Sequence, residues 1–204
     1  MNDPTPPQCI AFDGMRRIAS GGLLQVALKA KKLIDKSGHA AVLIFDITTS
    51  ERIDIDFHGT TAVVSARLTH AGKNVAATVS PHPESARGPG RPKLGVVARE
   101  VTLLPRHWDW LNLQPGGASV ALRKLVEEAR RMNSGKDRVR QSQEAAYRFM
   151  SALAGDMTGF EEATRALFAG DAARFESLVA AWPVDVRAHA AHLAAPAFEQ
   201  HTAA

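Results

Sequence analysis

A chain of 204 residues with 45% apolar side chains can fill real cores, as one large domain or as two to three small ones. Its single cysteine, Cys9, excludes an intramolecular disulfide and any cysteine-rich metal site, which fits a reducing compartment. The net charge of +4 is unevenly spread: residues 87–140 hold 12 Lys/Arg against 5 Asp/Glu, and residues 141–204 hold 4 against 8. A basic block followed by an acidic one suggests an anionic partner for the middle of the chain, nucleic acid being the commonest.

No apolar run approaches the roughly 18 residues of a membrane span. The opening MNDPTPPQ lacks the basic start and apolar core of a signal peptide. The expectation is a soluble cytoplasmic protein of the α+β class.

The first unit is expected over residues 9–70. CIAF and RRIAS flank Asp13-Gly14-Met15, a hairpin signal. LLQVALKAKKLI places Leu24, Ala27, Leu28, Ala30 and Ile34 near one helical face, and Gly38 follows as a stop. AAVLIFDI reads as a buried strand. ERIDIDF alternates, with Ile53, Ile55 and Phe57 on one side and Arg52, Asp54 and Asp56 on the other, so a second hairpin through TTS is predicted. GTTAVVSARL then predicts a Thr-capped short helix. Together these make a two-hairpin sheet with helical cover, similar to a β-grasp.

Residues 71–95 contain four prolines, several Gly and Ser, and no sustained period, and read as a linker. Residues 96–132 are expected to form a strand, a helix begun by Pro105, a Gly116-Gly117 turn and a helix capped by Ser119. Leu104, Trp108 and Leu111 form the stripe of the first helix, so Trp108 is read as core. Leu122, Leu125, Val126, Ala129 and Met132 form the stripe of the second, and Arg123, Lys124, Arg130 and Arg131 lie outside it. Residues 137–197 read as a small helical module, with Gly155 and Gly170 as stops, Asp171 as a start and Pro183 as an interruption.

One strand and two helices in under forty residues cannot bury a core alone, and a lone strand has two unpaired edges. A homodimer in which two copies of the strand pair antiparallel solves both problems. The segment EVTLLPRHWDWLNLQPGGASVALRKLVEEARR, Glu100 to Arg131, resembles the ribbon-helix-helix family of DNA-binding proteins. The resemblance implies that Thr102 faces base edges and that Ser119 meets a backbone phosphate, with Arg123 and Lys124 beside it. Glu100 departs from the basic or amide residues usual on such strands. A one-residue slip in register turns Arg99 outward in place of Thr102. Upstream, PGRPK resembles the core of an AT-hook, which implies that Arg91 and Lys93 enter a narrow minor groove; the bland alternative is a solubilising linker. The chain as a whole resembles an uncharacterised bacterial family, a domain of unknown function (DUF2239), carried by AFDGMRRIASG, GPGRPKLGVVAREVTLLPRHWDWL, QPGGASVALRKLVEEAR and GFEEATRALFAGD. That likeness implies no activity.

No nucleophile elbow, phosphate loop or Cys–His arrangement is present in the sequence. Asp54 and Asp56 read as a solvent face, and His189 and His192, three apart, as a wet helical face. The expected function is therefore non-enzymatic DNA binding as a regulator or nucleoid-associated protein, with no catalytic residue, metal or cofactor. The alternative is a dimerisation or protein-interaction module that leaves nucleic acid alone.

Overall fold

Four consecutive buried residues, Cys9 to Phe12, lie at the centre of a sheet, as a continuous apolar run demands when both faces are covered. A computed structural model describes residues 8–38, 41–77, 97 and 99–199. Strand β1 (Gln8–Asp13) pairs antiparallel with β2 (Arg16–Gly22) on one side and β3 (Val42–Asp46) on the other, giving the order β2-β1-β3. The β1–β2 hairpin turns at Gly14-Met15, and Gly14 takes φ +55°, where only glycine is free of a Cβ clash. Ala11 faces Ala19 and Phe12 faces Arg17, so Ile18 is bulged out of the ladder.

Alternation along β1 sends residues to opposite faces. Cys9 and Ala11 join Ala19, Ile44 and the inner face of helix α1 (Leu23–Ser37), through Val26 and Ala30. Burial in that cluster, helped by the neighbouring Asp46 carboxylate, pushes the Cys9 thiol up from its ordinary value. Helix α1 stops at Gly38, whose φ is +70° and whose N–H donates to the Ile34 carbonyl at 2.9 Å. No atom lies within 4 Å of where a Cβ on Gly38 would stand, so space is not what excludes a side chain. Gly38→Ala should therefore cost only the left-handed conformation, about 1–2 kcal/mol, read as a shift of the urea midpoint at constant slope.

Ile10 and Phe12 face the other way, with Phe45, into the main core. Helix α4 (Gly117–Leu153), through Ala145, Phe149 and Met150, supplies one wall. Helices α5 (Phe160–Ala169), α6 (Ala172–Val179) and α7 (Val184–Phe198) supply the rest, among them Leu167, Phe175, Val186 and Leu193. Gly170 at φ +72° ends α5, and the Asp171 carboxylate caps α6 by accepting from the Arg174 N–H at 3.0 Å, as the sequence predicts. The bulge leaves the Arg17 N–H free to donate to Asp185 in the first turn of α7 at 2.9 Å.

Four expectations change. The second hairpin is cut short: after β3 the chain turns back and Arg52 pairs antiparallel with Phe45, flanked by the Asp46 N–H donating to the Glu51 carbonyl at 2.9 Å and the Ile53 N–H donating to the Ile44 carbonyl at 2.8 Å, and no strand continues beyond that pair. Ile53, Ile55 and Phe57 still pack against the α1 side of the sheet, so their alternation is met by burial and needs no ladder. The carboxylates between them are held locally: Asp54 accepts from Arg52, and Asp56 from His58 and from Arg67 of helix α2 (Thr61–Ala77). The two hydrogen bonds from His58, and then the charge of Arg67, hold the Asp56 carboxyl below its usual range. Second, α2 is not short; it runs to Ala77, into the stretch read as linker. Third, α4 does not break at Asn133-Ser134-Gly135. The Asn133 amide donates to the Ala129 carbonyl and the Ser134 hydroxyl to that of Arg131, so residues that favour turns satisfy themselves within the helix. Fourth, His189 is buried at 5% exposure against Phe12 and Phe149, and only His192 is wet.

The chain divides into two compact units, residues 1–76 with 135–204, and residues 77–134. In the smaller unit helix α3 (Pro105–Asn112) starts at Pro105, and Gly116 and Gly117, at φ +86° and +75°, turn the chain into α4.

Candidate nucleic-acid interface

The described part of residues 77–134 has almost no core: only Leu111 and Ala121 are buried among its apolar side chains. On the first five turns of α4, Leu125, Val126 and Met132 are 44%, 57% and 76% exposed. At about 100° per residue these three and Ala129 form one stripe. Arg123, Lys124, Arg130 and Arg131 occupy an arc of roughly 120° on the opposite side, and all four are exposed. Glu127 lies within that arc and binds Arg130 at 3.2 Å. Arg123, Lys124 and Arg131 make no ion pair among the described residues. From Arg123 to Arg131 is about 12 Å along the axis, close to the width of a DNA major groove.

The strand expected over 97–104 is absent: Val97 and residues 99–104 carry no ladder, and Val97 and Val101 are exposed. The physical reason is the isolation of the segment. A ladder needs a partner, and the described chain offers none there. Arg99 and Thr102 are exposed on this irregular stretch. Ser119 is no cap. Gly116-Gly117 begins α4 two residues earlier and leaves Ser119 exposed in its first turn. Arg91 and Lys93 lie outside the described residues, as does most of the segment read as a linker. Trp108, expected in a core, is exposed, as is Trp110.

Of the residues that the sequence singles out, α4 brings Arg123 and Lys124 together. Arg130 and Arg131, seven and eight positions on from Arg123, share their face and belong with them; the helical spacing alone is enough to find them. No group of three or more His, Cys, Asp or Glu that could hold a metal occurs among the described residues, and no described helix is long and apolar enough to cross a membrane.

These features define a mixed α+β protein, mostly helical, with a three-stranded antiparallel sheet near its N-terminus and an exposed amphipathic helix face in the middle of the chain. The chain belongs to the family described as "Uncharacterized protein conserved in bacteria (DUF2239)", whose model matches residues 8–194. No curated protein and no solved structure matches it.

Proposed function

We propose that this protein is a non-enzymatic DNA-binding homodimer, a regulator or nucleoid-associated protein, that assembles through residues 96–132. The observation that carries the reading is the two-sided start of α4: an exposed apolar stripe backed by three cations that have no ion pair among the described residues. In a dimer of the ribbon-helix-helix kind, residues 97–104 of two copies supply each other's missing ladder. Leu104, Trp108 and the α4 stripe then become a shared core, and the cationic faces are left for phosphates. Thr102, or Arg99 in the other register, faces base edges, and Ser119 meets a phosphate at the start of α4. Arg91 and Lys93, a few positions before residues 97–104 in sequence, add minor-groove contacts, which raises affinity through local concentration.

Duplex binding at two salt concentrations tests this. The wild type should bind at low salt and weaken steeply as salt rises. Arg123→Ala should lower the slope of log K against log salt by about 0.9 for each phosphate that the variant no longer neutralises. Arg91→Ala should weaken binding to A·T-rich duplex selectively. Failure of the wild type to bind any duplex at low salt removes the reading, and a strictly monomeric protein in sizing removes the paired strand. A second reading, dimerisation without nucleic acid, draws support from Glu127, which places a carboxylate inside the cationic arc. It predicts a dimer with no duplex affinity.

A further inference from the structure

We propose that the larger unit, independently of the cationic face of α4, binds a small zwitterion, an amino acid or short peptide, in the cleft between the Ile47–Glu51 turn and helices α4 and α7. The cleft encloses about 560 Å³, within the range of small-molecule pockets. Buried Leu193 and half-buried Ile47 and Pro196 give it an apolar floor. Its rim carries charges of both signs that the fold leaves largely unused. The Glu51 carboxylate has no ion pair among the described residues, and that of Glu144 reaches only Arg140, at 4.0 Å. Arg148 donates to the Thr49 carbonyl through one nitrogen, which leaves most of its five N–H groups free. His192 forms no hydrogen bond among the described residues and stacks on His189 at 6.1 Å.

This set selects its ligand by charge. A simple anion on Arg148 would face Glu51 and Glu144 with nothing to offer them, and a simple cation would be repelled by Arg148. A molecule with a carboxylate, an ammonium and an apolar body satisfies Arg148 and both glutamates, while Arg138, the other cation on the lining, is engaged by Glu199. The carboxylate takes the Arg148 fork, the ammonium goes to the glutamates, and the body rests on Leu193 and Ile47.

The wall is also built before any ligand arrives. The Asp46 carboxylate accepts from the Thr48 and Thr49 N–H groups at 2.8 Å each, and Arg148 fixes the Thr49 carbonyl. Ser50, between the lining residues Thr49 and Glu51, is held at φ +55°, fully buried, with its hydroxyl unpaired among the described residues. A non-glycine residue kept in that conformation is a cost that surrounding structure sustains, and such costs gather at ligand clamps.

The test is a titration of the full chain followed by ¹H–¹⁵N spectra, including the arginine Nε–Hε signals. The probes are L-leucine, the tripeptide Ala-Leu-Ala, 4-methylpentanoate and 3-methylbutylamine. At least one zwitterion should give saturable shifts at Thr48, Thr49 and Arg148 with a Kd below about 1 mM. Both single-charge analogues should bind at least about tenfold more weakly. Arg148→Met and Glu51→Gln should each weaken the zwitterion by a similar factor; Glu51 is exposed and has no ion pair among the described residues, so its variant tests the cleft even if Arg148→Met does not fold. Preference for leucine assigns an amino acid, and preference for the tripeptide assigns a peptide. No saturable shift with either zwitterion overturns the proposal, as does a carboxylate or amine that binds as tightly as leucine.

Discussion

Replacing Phe149 with alanine should lower the free energy of unfolding by about 3–5 kcal/mol, a large part of the roughly 5–15 kcal/mol that holds a domain folded. Phe149 is fully buried on α4 where the sheet meets the helices. Its ring lies 5.3 Å from Phe12, 5.6 Å from Phe45 and 4.6 Å, edge to face, from His189. These neighbours sit on β1, β3 and α7, elements that cannot all move inward to fill the gap. The full cavity cost is therefore expected, together with the loss of the ring–ring attraction. Urea denaturation measures it as a lower midpoint with the slope unchanged. A midpoint within error of the wild type would mean that the sheet and the C-terminal helices do not share this core.

The second large effect follows pH. His189 is pushed down to about 4 from an ordinary value near 6.5, by burial first and then by the charges of His192 and Arg17. Its Nε2 has no hydrogen-bond partner among the described residues, so nothing there compensates a proton placed on it. The unfolded chain takes up that proton near pH 6.5 and the folded chain only near pH 4, so the unfolded state binds more protons between the two. The stability that His189 contributes as a neutral ring is thus complete above about pH 6.5. It falls away as the pH drops to about 4, by about 3 kcal/mol in all. Equilibrium unfolding at about pH 7, 5.5 and 4 should show that loss. His189→Leu should flatten the profile in this window, and it need not destabilise at neutral pH, since it removes a buried unpaired polar atom. An unchanged pH profile in the variant would assign the acid sensitivity to other groups.

How far the sequence discloses this architecture depends on whether an element's cause is local. The β1–β2 hairpin, the stop at Gly38, and the Gly170-Asp171 junction are set by residues within a turn of the event, and all three are legible. The segment Arg52–Phe57 has the period of a strand but meets the sheet only at its first residues, which alternation cannot report. Asn133-Ser134-Gly135 looks like a break because each residue disfavours a helix, yet the side-chain hydrogen bonds of the first two hold the helix together. The burial of His189 escapes the sequence for a different reason. Its neighbours at Phe12 and Phe149 are distant in sequence, and a helix of alanines gives a weak signal of which side is inside. The cationic face of α4 is legible in full from spacing. The cleft is not, since Glu51, Arg148 and His192 come from three separate parts of the chain.

The two halves of the main core are far apart in the order of synthesis. The first face of β1 is covered early, by Val26 and Ala30 about twenty residues after Cys9 and Ala11, and then by Ile44, Ile53, Ile55 and Phe57. The second face is exposed for much longer: Ile10, Phe12 and Phe45 wait for Phe149, Leu167, Val186 and Leu193, beyond the whole of residues 77–134. At roughly 5–20 residues per second, that interval is on the order of ten seconds. For that time a growing chain presents an oily half-sheet to everything near the ribosome, and those seconds are when it is most open to a chaperone or to aggregation.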